Sequence, residues 1–247
     1  FVAHDSPGAG RSRRRRGGSL GGLGLAGREA FELFGGAADL YHRRRPRYPV
    51  VLFDRLTEIA GLGDGDTVLE VGVGTGIATQ ELIRRGLLVT GLEPSPEMAA
   101  VAQVGLGTTG RHRLVTSTFE DWVPDQVGFS AVISAQAWHW VDPEARYRKA
   151  AGILAPGGWL GLIWNRPTGG EARMRVRLDT VYATLAPELA SLPPGELDLD
   201  RREEIAGTGL FQEPRLECFA FEVRYSARAY AELMATQSDH RRLPASR

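Results

Sequence analysis

Glu70 lies inside VLEVGVGTGIATQEL, residues 68–82, where apolar and β-branched residues lead into Gly72, Gly74 and Gly76. A buried strand normally excludes such a charge, because an isolated ion taken out of water costs several kcal/mol unless a partner meets it. Something must meet this carboxylate, and bare glycines allow a ligand to approach the backbone closely. A second acid, Glu93, ends the apolar run LLVTGLEP, about twenty residues beyond the first glycine. At the end of a second strand, a carboxylate is placed to take the two hydroxyls of a ribose.

Two ligand classes fit an acid, a glycine turn and a second acid. A dinucleotide site asks for Gly-x-Gly-x-x-Gly, and here the third glycine is Gly76 with Ile77 after it. Glu70 would also repel a pyrophosphate. S-adenosylmethionine carries an ammonium and a sulfonium, which make acids near the turn favourable, while its carboxylate can face the positive end of the following helix. Three readings stay open from the residues: an S-adenosylmethionine-dependent enzyme, an NAD(P)-binding oxidoreductase, and a non-catalytic cofactor-binding or interaction protein.

Further candidates surround this pair. AWHW, residues 137–140, follows the fourth expected strand. Its indoles, Trp138 and Trp140, offer apolar surface to an organic acceptor, or one of them, Trp140, serves the core. His139 has a side chain that titrates near neutrality and is a candidate general base, or it bridges backbone groups instead. Trp164 and Asn165 end the fifth strand and are further substrate-side candidates. Tyr41, in YHRRRPRYP, has an aromatic face that stabilises a nearby cation by about 0.5–2 kcal/mol. Alternatively Tyr41 and Tyr48 only pack that segment on the sheet.

The elements that position these residues alternate. DTVLEVG, LLVTGLEP, HRLVTSTFED, FSAVISAQ and GWLGLIWN read as strands, with GIATQELIRRG, SPEMAAVAQ and DPEARYRKAAGIL as helices between them. Ser95 is an expected N-cap with Pro96 at the first helical position, and Asp142 is expected to start the helix before the fifth strand. Such alternation implies an α/β fold, a Rossmann-like, doubly wound, mostly parallel sheet with helices on both faces. Its ligand crevice falls at the carboxyl ends of the strands, beside the first one. RLECFAFEVRYS reads as a sixth strand and ARAYAELMA as a helix. LPPGELDLD reads as a surface loop near the substrate mouth.

Four regions are expected: a disordered Arg/Gly-rich tail over 1–28, N-terminal helices over 29–66, a cofactor-binding core over 67–166, and a substrate-side segment over 167–247. The tail is too polar and glycine-rich to bury the apolar surface that ordering requires. At 247 residues, 43% hydrophobic and formally neutral, the chain has the composition of a globular domain and lacks the positive surplus of a general nucleic-acid binder. No apolar run approaches the roughly 20 residues needed to cross a bilayer. Cys218 is the single cysteine and the five histidines have no paired ligand spacing, so no metal site is expected. A cytoplasmic location is the expectation.

Taken in order, VLEVGVGTG, GLEPSPEM, FSAVISAQAWHWVDP and LAPGGWL resemble the successive motifs of class I S-adenosylmethionine-dependent methyltransferases, and most closely the small-molecule branch called type 11. The resemblance covers roughly residues 37–224. It implies S-adenosyl-L-methionine as cofactor, with Glu70 and the glycine turn holding the methionine part and Glu93 the ribose. It further implies that the N-terminal helices over 29–66 form a lid, and that Phe119 and Glu120 of STFED lie beside the adenine. SAQAWHW, from Ser134 and Ala135 to Trp140, would line the path from methyl donor to a small-molecule acceptor. The family normally adds a seventh, antiparallel strand; nothing after residue 225 reads as one, so that strand is expected to be missing and the chain truncated.

Overall fold

The structure is a computed structural model that describes residues 2–3, 37–167, 172–190 and 201–243. At its centre lie five parallel strands: β2 (Thr67–Val71), β3 (Leu88–Leu92), β4 (His112–Val115), β5 (Phe129–Ala135) and β6 (Leu154–Ile163). A two-residue strand, β1 (Val2–Ala3), pairs antiparallel with Leu160 and Trp159 of β6. The order across the sheet is β1-β6-β5-β2-β3-β4. The winding therefore changes direction at β2, and the crevice beside its carboxyl end is where such folds bind ligands.

The run VLEV in β2 is buried on both faces, as a central parallel strand must be. Its register sets Glu70 between Gly91 of β3 and Ile133 of β5. Helix α3 (Ile77–Arg84) follows the glycine turn, and α4 (Pro96–Leu106) follows β3. The Ser95 hydroxyl caps α4 by accepting from the Met98 N–H at 3.3 Å. Helix α5 (Arg146–Ile153) starts a turn later than Asp142 predicts. Asp142 instead accepts from the Glu144 N–H at 2.9 Å and closes the preceding turn, the local bonding that makes short polar residues turn formers.

Among the described residues two helices precede β2, α1 (Ala38–Arg44) and α2 (Val50–Ala60), parted by Pro46 and Pro49. Helix α2 buries Leu52, Phe53 and Leu56 and ends where Gly61 turns left-handed at φ 62°. After β6 come α6 (Ala172–Leu185), α7 (Pro187–Ala190), α8 (Arg202–Thr208), α9 (Ala227–Met234) and α10 (Ser238–Arg241). Helix α9 packs against α1. Arg44 Nε donates to Glu232 Oε2 at 2.5 Å, and Arg45 Nη2 donates to the Thr236 carbonyl at 2.8 Å.

Residues 215–226, expected as a sixth strand, form none; the segment carries no ladder bonds. Its alternation is real, but Leu216, Phe221 and Val223 stay exposed while Phe219 packs on the core. Alternating polarity describes a face and needs a partner edge to become a strand. Of the expected tail, Val2 and Ala3 are placed in the sheet, whereas residues 4–28 lie outside the described residues, as does the LPPGELDLD loop.

Gly72 shows how tightly the centre closes. Its φ is 76°, and a Cβ built on it would stand 2.2 Å from the Ala137 Cβ in the loop after β5. Gly72→Ala combines left-handed strain with overpacking and should cost about 2–4 kcal/mol in urea unfolding, since each effect is worth roughly 1–3 kcal/mol. A loss within about 0.5 kcal/mol, the range of an ordinary surface change, would show that the two loops do not meet there.

Candidate active site

The turn after β2 is bonded to the end of β3: the Gly72 and Val73 N–H groups both donate to the Leu92 carbonyl, at 2.9 and 3.0 Å. Gly76 caps α3 in the left-handed region at φ 82° and leaves room for Ala102 and Leu106 of α4. The three glycines thus do different things. Gly72 admits the β5 loop, Gly76 admits α4, and Gly74, at φ 59°, keeps its face clear with only Met98 Cε near a built Cβ.

Glu70 is wholly buried. Thr79 Oγ1, in the first turn of α3, donates to Glu70 Oε2 at 2.6 Å, and Oε1 has no partner. Burial pushes its pKa up to about 8; the Thr79 hydrogen bond opposes that shift, and Glu93 adds to it. Glu93 is also buried, and both its oxygens are engaged. Gly74 N–H donates to Oε2 at 2.7 Å and Ser95 N–H to Oε1 at 2.9 Å. Burial raises Glu93 to about 6 against the pull of those two donors. A carboxylate pair in one buried region raises each member's pKa and is stabilised by a cation.

A small cavity opens on this turn, lined by Tyr41, Tyr48, Glu70, Gly72 to Thr75, Ile77, Ala78 and Ala135. Two unsatisfied buried oxygens belong to its lining, Glu70 Oε1 and Thr75 Oγ1. Such groups are rare in folded proteins and mark places where a ligand completes the bonding. The lid brings in the rings. Burial raises the Tyr41 phenol, with Arg45 lowering and Glu93 raising it further; the Arg45 guanidinium sits 4.6 Å from the Tyr41 ring centre. Tyr48 is raised well above its usual value by burial, then by Tyr41 and Glu70.

Of the residues singled out from sequence, Tyr41, Glu70, Gly72, Gly74 and Ala135 line this cavity, and Glu93 is bonded to its wall through Gly74. Others lie elsewhere. Trp138 is fully buried in the core, between Phe119 and Tyr147 at ring separations of 5.8 and 5.7 Å, so it is not an open substrate surface. It takes the core place expected for Trp140, which is half-buried. Phe119 belongs to the same core. Glu120 is exposed and accepts from the Asp142 N–H at 2.6 Å, a bond that joins two loops.

His139 is outside the cavity lining, with its ring 4.9 Å from that of Trp140. Its residue surface remains exposed, yet crowding by neighbouring elements, then the charges of Arg201 and Arg146, push it down to about 4. It is therefore neutral at ordinary pH and a weak base. Trp164 packs against the core edge, and the Asn165 carbonyl accepts from Gln136 Nε2 at 3.2 Å. Gln136, at the tip of β5, has φ 61° and is the one non-glycine left-handed residue among those described. No group of three potential metal ligands exists among the described residues.

Thr75, Thr79 and Tyr48 belong to the site without having been selected for it. A signal for Thr79 existed: a buried glutamate needs a donor, and the first turn of the next helix is the nearest polar element.

Residues 69–162 match the family model described as a methyltransferase domain. An uncharacterized methyltransferase of Mycobacterium tuberculosis H37Rv is 42% identical over 132 residues, 53% of this chain and 51% of that protein. A ubiquinone biosynthesis O-methyltransferase of Xanthomonas oryzae is 36% identical over 101 residues, 40% of this chain and 42% of its own. The chain spans about half the length of the curated relatives it matches. A solved structure from Anaeromyxobacter dehalogenans, assigned as a type II methyltransferase, superposes with a TM-score of 0.55 at 24% identity, covering 80% of this chain and 82% of that one, and shares the fold. The acid–glycine–acid arrangement and the parallel sheet that carries it agree with the matched model: residues 69–162, less than half of the chain, are similar to a methyltransferase domain, and the fold around them is that of a methyltransferase structure.

Proposed function

We propose that this protein transfers a methyl group from S-adenosylmethionine to a small organic acceptor, by direct displacement, in the cytoplasm and without nucleic acid. The observation that carries the reading is the Glu70 carboxyl, buried with one oxygen unsatisfied in the wall of a cavity on the glycine turn. That geometry suits an adenosine compound bearing positive charge and disfavours a pyrophosphate. The family's cofactor supplies an electrophilic methyl on a sulfonium, so the protein's task is alignment and exclusion of water.

Each residue has a definable share in that task. Glu70 Oε1 and the Thr75 hydroxyl are the free polar atoms suited to the amino-acid end of the cofactor. Glu93, anchored on Gly74 and Ser95, retains lone pairs for ribose hydroxyls. The rings of Tyr41 and Tyr48 roof the cavity beside both acids, where they keep water out and stabilise a cation. Ala135 leaves the β5 side open. Phe119 and Trp138 belong to the core, and Glu120 joins two loops through the Asp142 N–H. His139, neutral by its lowered pKa, would accept a proton only from an acidic acceptor, and with Trp164 and Asn165 it is our candidate for the acceptor side.

Calorimetry tests the reading. S-adenosylmethionine should bind and NAD should not; the reverse would replace the methyltransferase with an oxidoreductase. Glu93→Ala should weaken S-adenosylmethionine by about 1–3 kcal/mol, the worth of charge-assisted bonds to a buried partner. Unchanged affinity would remove Glu93 from the ribose. Tyr41→Leu should cost about 0.5–2 kcal/mol in binding S-adenosylmethionine, and less for S-adenosylhomocysteine, whose sulfur is neutral. Equal losses for both ligands would make Tyr41 a packing residue only.

A further inference from the structure

Thr79 lies one helical turn beyond the glycines, outside the cavity lining, yet it governs the acid at the cavity's floor. It is fully buried, and its hydroxyl donates to Glu70 Oε2 at 2.6 Å. The second carboxyl oxygen, Oε1, has no hydrogen-bond partner among the described residues. Glu93 shows the contrast: both its oxygens are met by backbone N–H groups. The chain thus satisfies one oxygen of Glu70 from behind and leaves the other bare.

We propose that Thr79 is the positioning residue for Glu70: by holding Oε2 it turns Oε1 to the cavity and keeps the carboxylate form available for the ammonium group of an amino-acid-bearing adenosine ligand. The inference rests on the cofactor reading above. A threonine suits the task because its hydroxyl has one proton to give, and in a helix its branched Cβ restricts the side chain to few rotamers. The titratable groups near Glu70 are Glu93 from the end of β3, Tyr48 from the segment before α2 and Tyr41 from α1; Glu93 opposes the Glu70 carboxylate, while the Arg45 guanidinium, 4.6 Å from the Tyr41 ring centre, bears on the two phenols. The strands on either side present Gly91 and Ile133. Among the described residues Thr79 is then the one hydrogen-bond donor to the Glu70 carboxyl.

The sign of the pH dependence follows. A cation binds the ionised carboxyl, so affinity rises with pH through the Glu70 ionisation, and binding expels a proton below it. Losing the Thr79 donor moves that ionisation to higher pH.

Two ligands and two variants test this. S-adenosylhomocysteine carries the ammonium, and 5′-methylthioadenosine has the same nucleoside and a thioether without it. Thr79→Val, nearly isosteric, should raise the Kd for S-adenosylhomocysteine about tenfold or more, as loss of a bond to a charged group does. It should leave 5′-methylthioadenosine binding unchanged. The pH midpoint for S-adenosylhomocysteine should shift upward, measured below the pH where the ligand's own amine loses its proton. Thr79→Ser should restore both affinity and midpoint. Wild-type affinity and midpoint in a folded Thr79→Val variant would overturn the assignment, and so would equal losses for both ligands, which would mean general distortion. Failure of the wild-type protein to bind either ligand would overturn the cofactor reading itself, a result distinguishable from failure of Thr79 alone.

Discussion

Two carboxyl groups, Glu70 and Glu93, are held out of water at the tips of neighbouring parallel strands, and the rest of the site follows from keeping them there. Each alone is costly to bury, and the charge of Glu93 makes the ionisation of Glu70 harder still. The chain answers differently at the two positions. Glu93 receives two backbone N–H donors and becomes part of the turn's scaffold. Glu70 receives one hydroxyl and keeps an unsatisfied oxygen. Natural cores rarely tolerate such a group, so its retention beside a cavity is best explained by a cationic ligand.

The surrounding architecture serves that arrangement. Parallel pairing of β2 with β3 sets the two acids at adjacent strand ends, and the reversal of winding at β2 keeps the crevice between β2 and β5 free of a crossover. The absence of a side chain at Gly72 lets Ala137 close one side. Over the top, α1 and the segment before α2 contribute Tyr41 and Tyr48. Arg44 and Arg45 tie this roof to α9 and the turn after it, so a late part of the chain bears on an early one. The Arg44–Glu232 pair is partly exposed, and such pairs are worth about 0–1 kcal/mol.

Most of the parallel sheet was legible because buried parallel strands write themselves as continuous apolar runs, and Ser95 with Pro96 marks where a helix starts. The acids were legible for the opposite reason: Glu70 interrupts a run that should contain no charge. Legibility failed where the pattern does not encode the partner. Residues 215–226 alternate like a strand but meet no edge. Trp138 and Trp140 are near-identical in sequence context, and only packing against Phe119 and Tyr147 decides which enters the core. Buried Glu70 called for a donor from the next helix, but which residue supplies it is decided only when that helix folds back over β2 and brings Thr79 to the carboxyl.

The central claim is that Glu70 is an uncompensated buried acid awaiting a cation. Carbon-13 NMR of the labelled Glu70 carboxyl, titrated in the free protein and again with S-adenosylhomocysteine, tests it directly. The account predicts a pKa near 8 in the free protein, falling on binding as the ammonium stabilises the carboxylate. An ordinary carboxylate pKa in the free protein, or one that the ligand leaves unmoved, would contradict it.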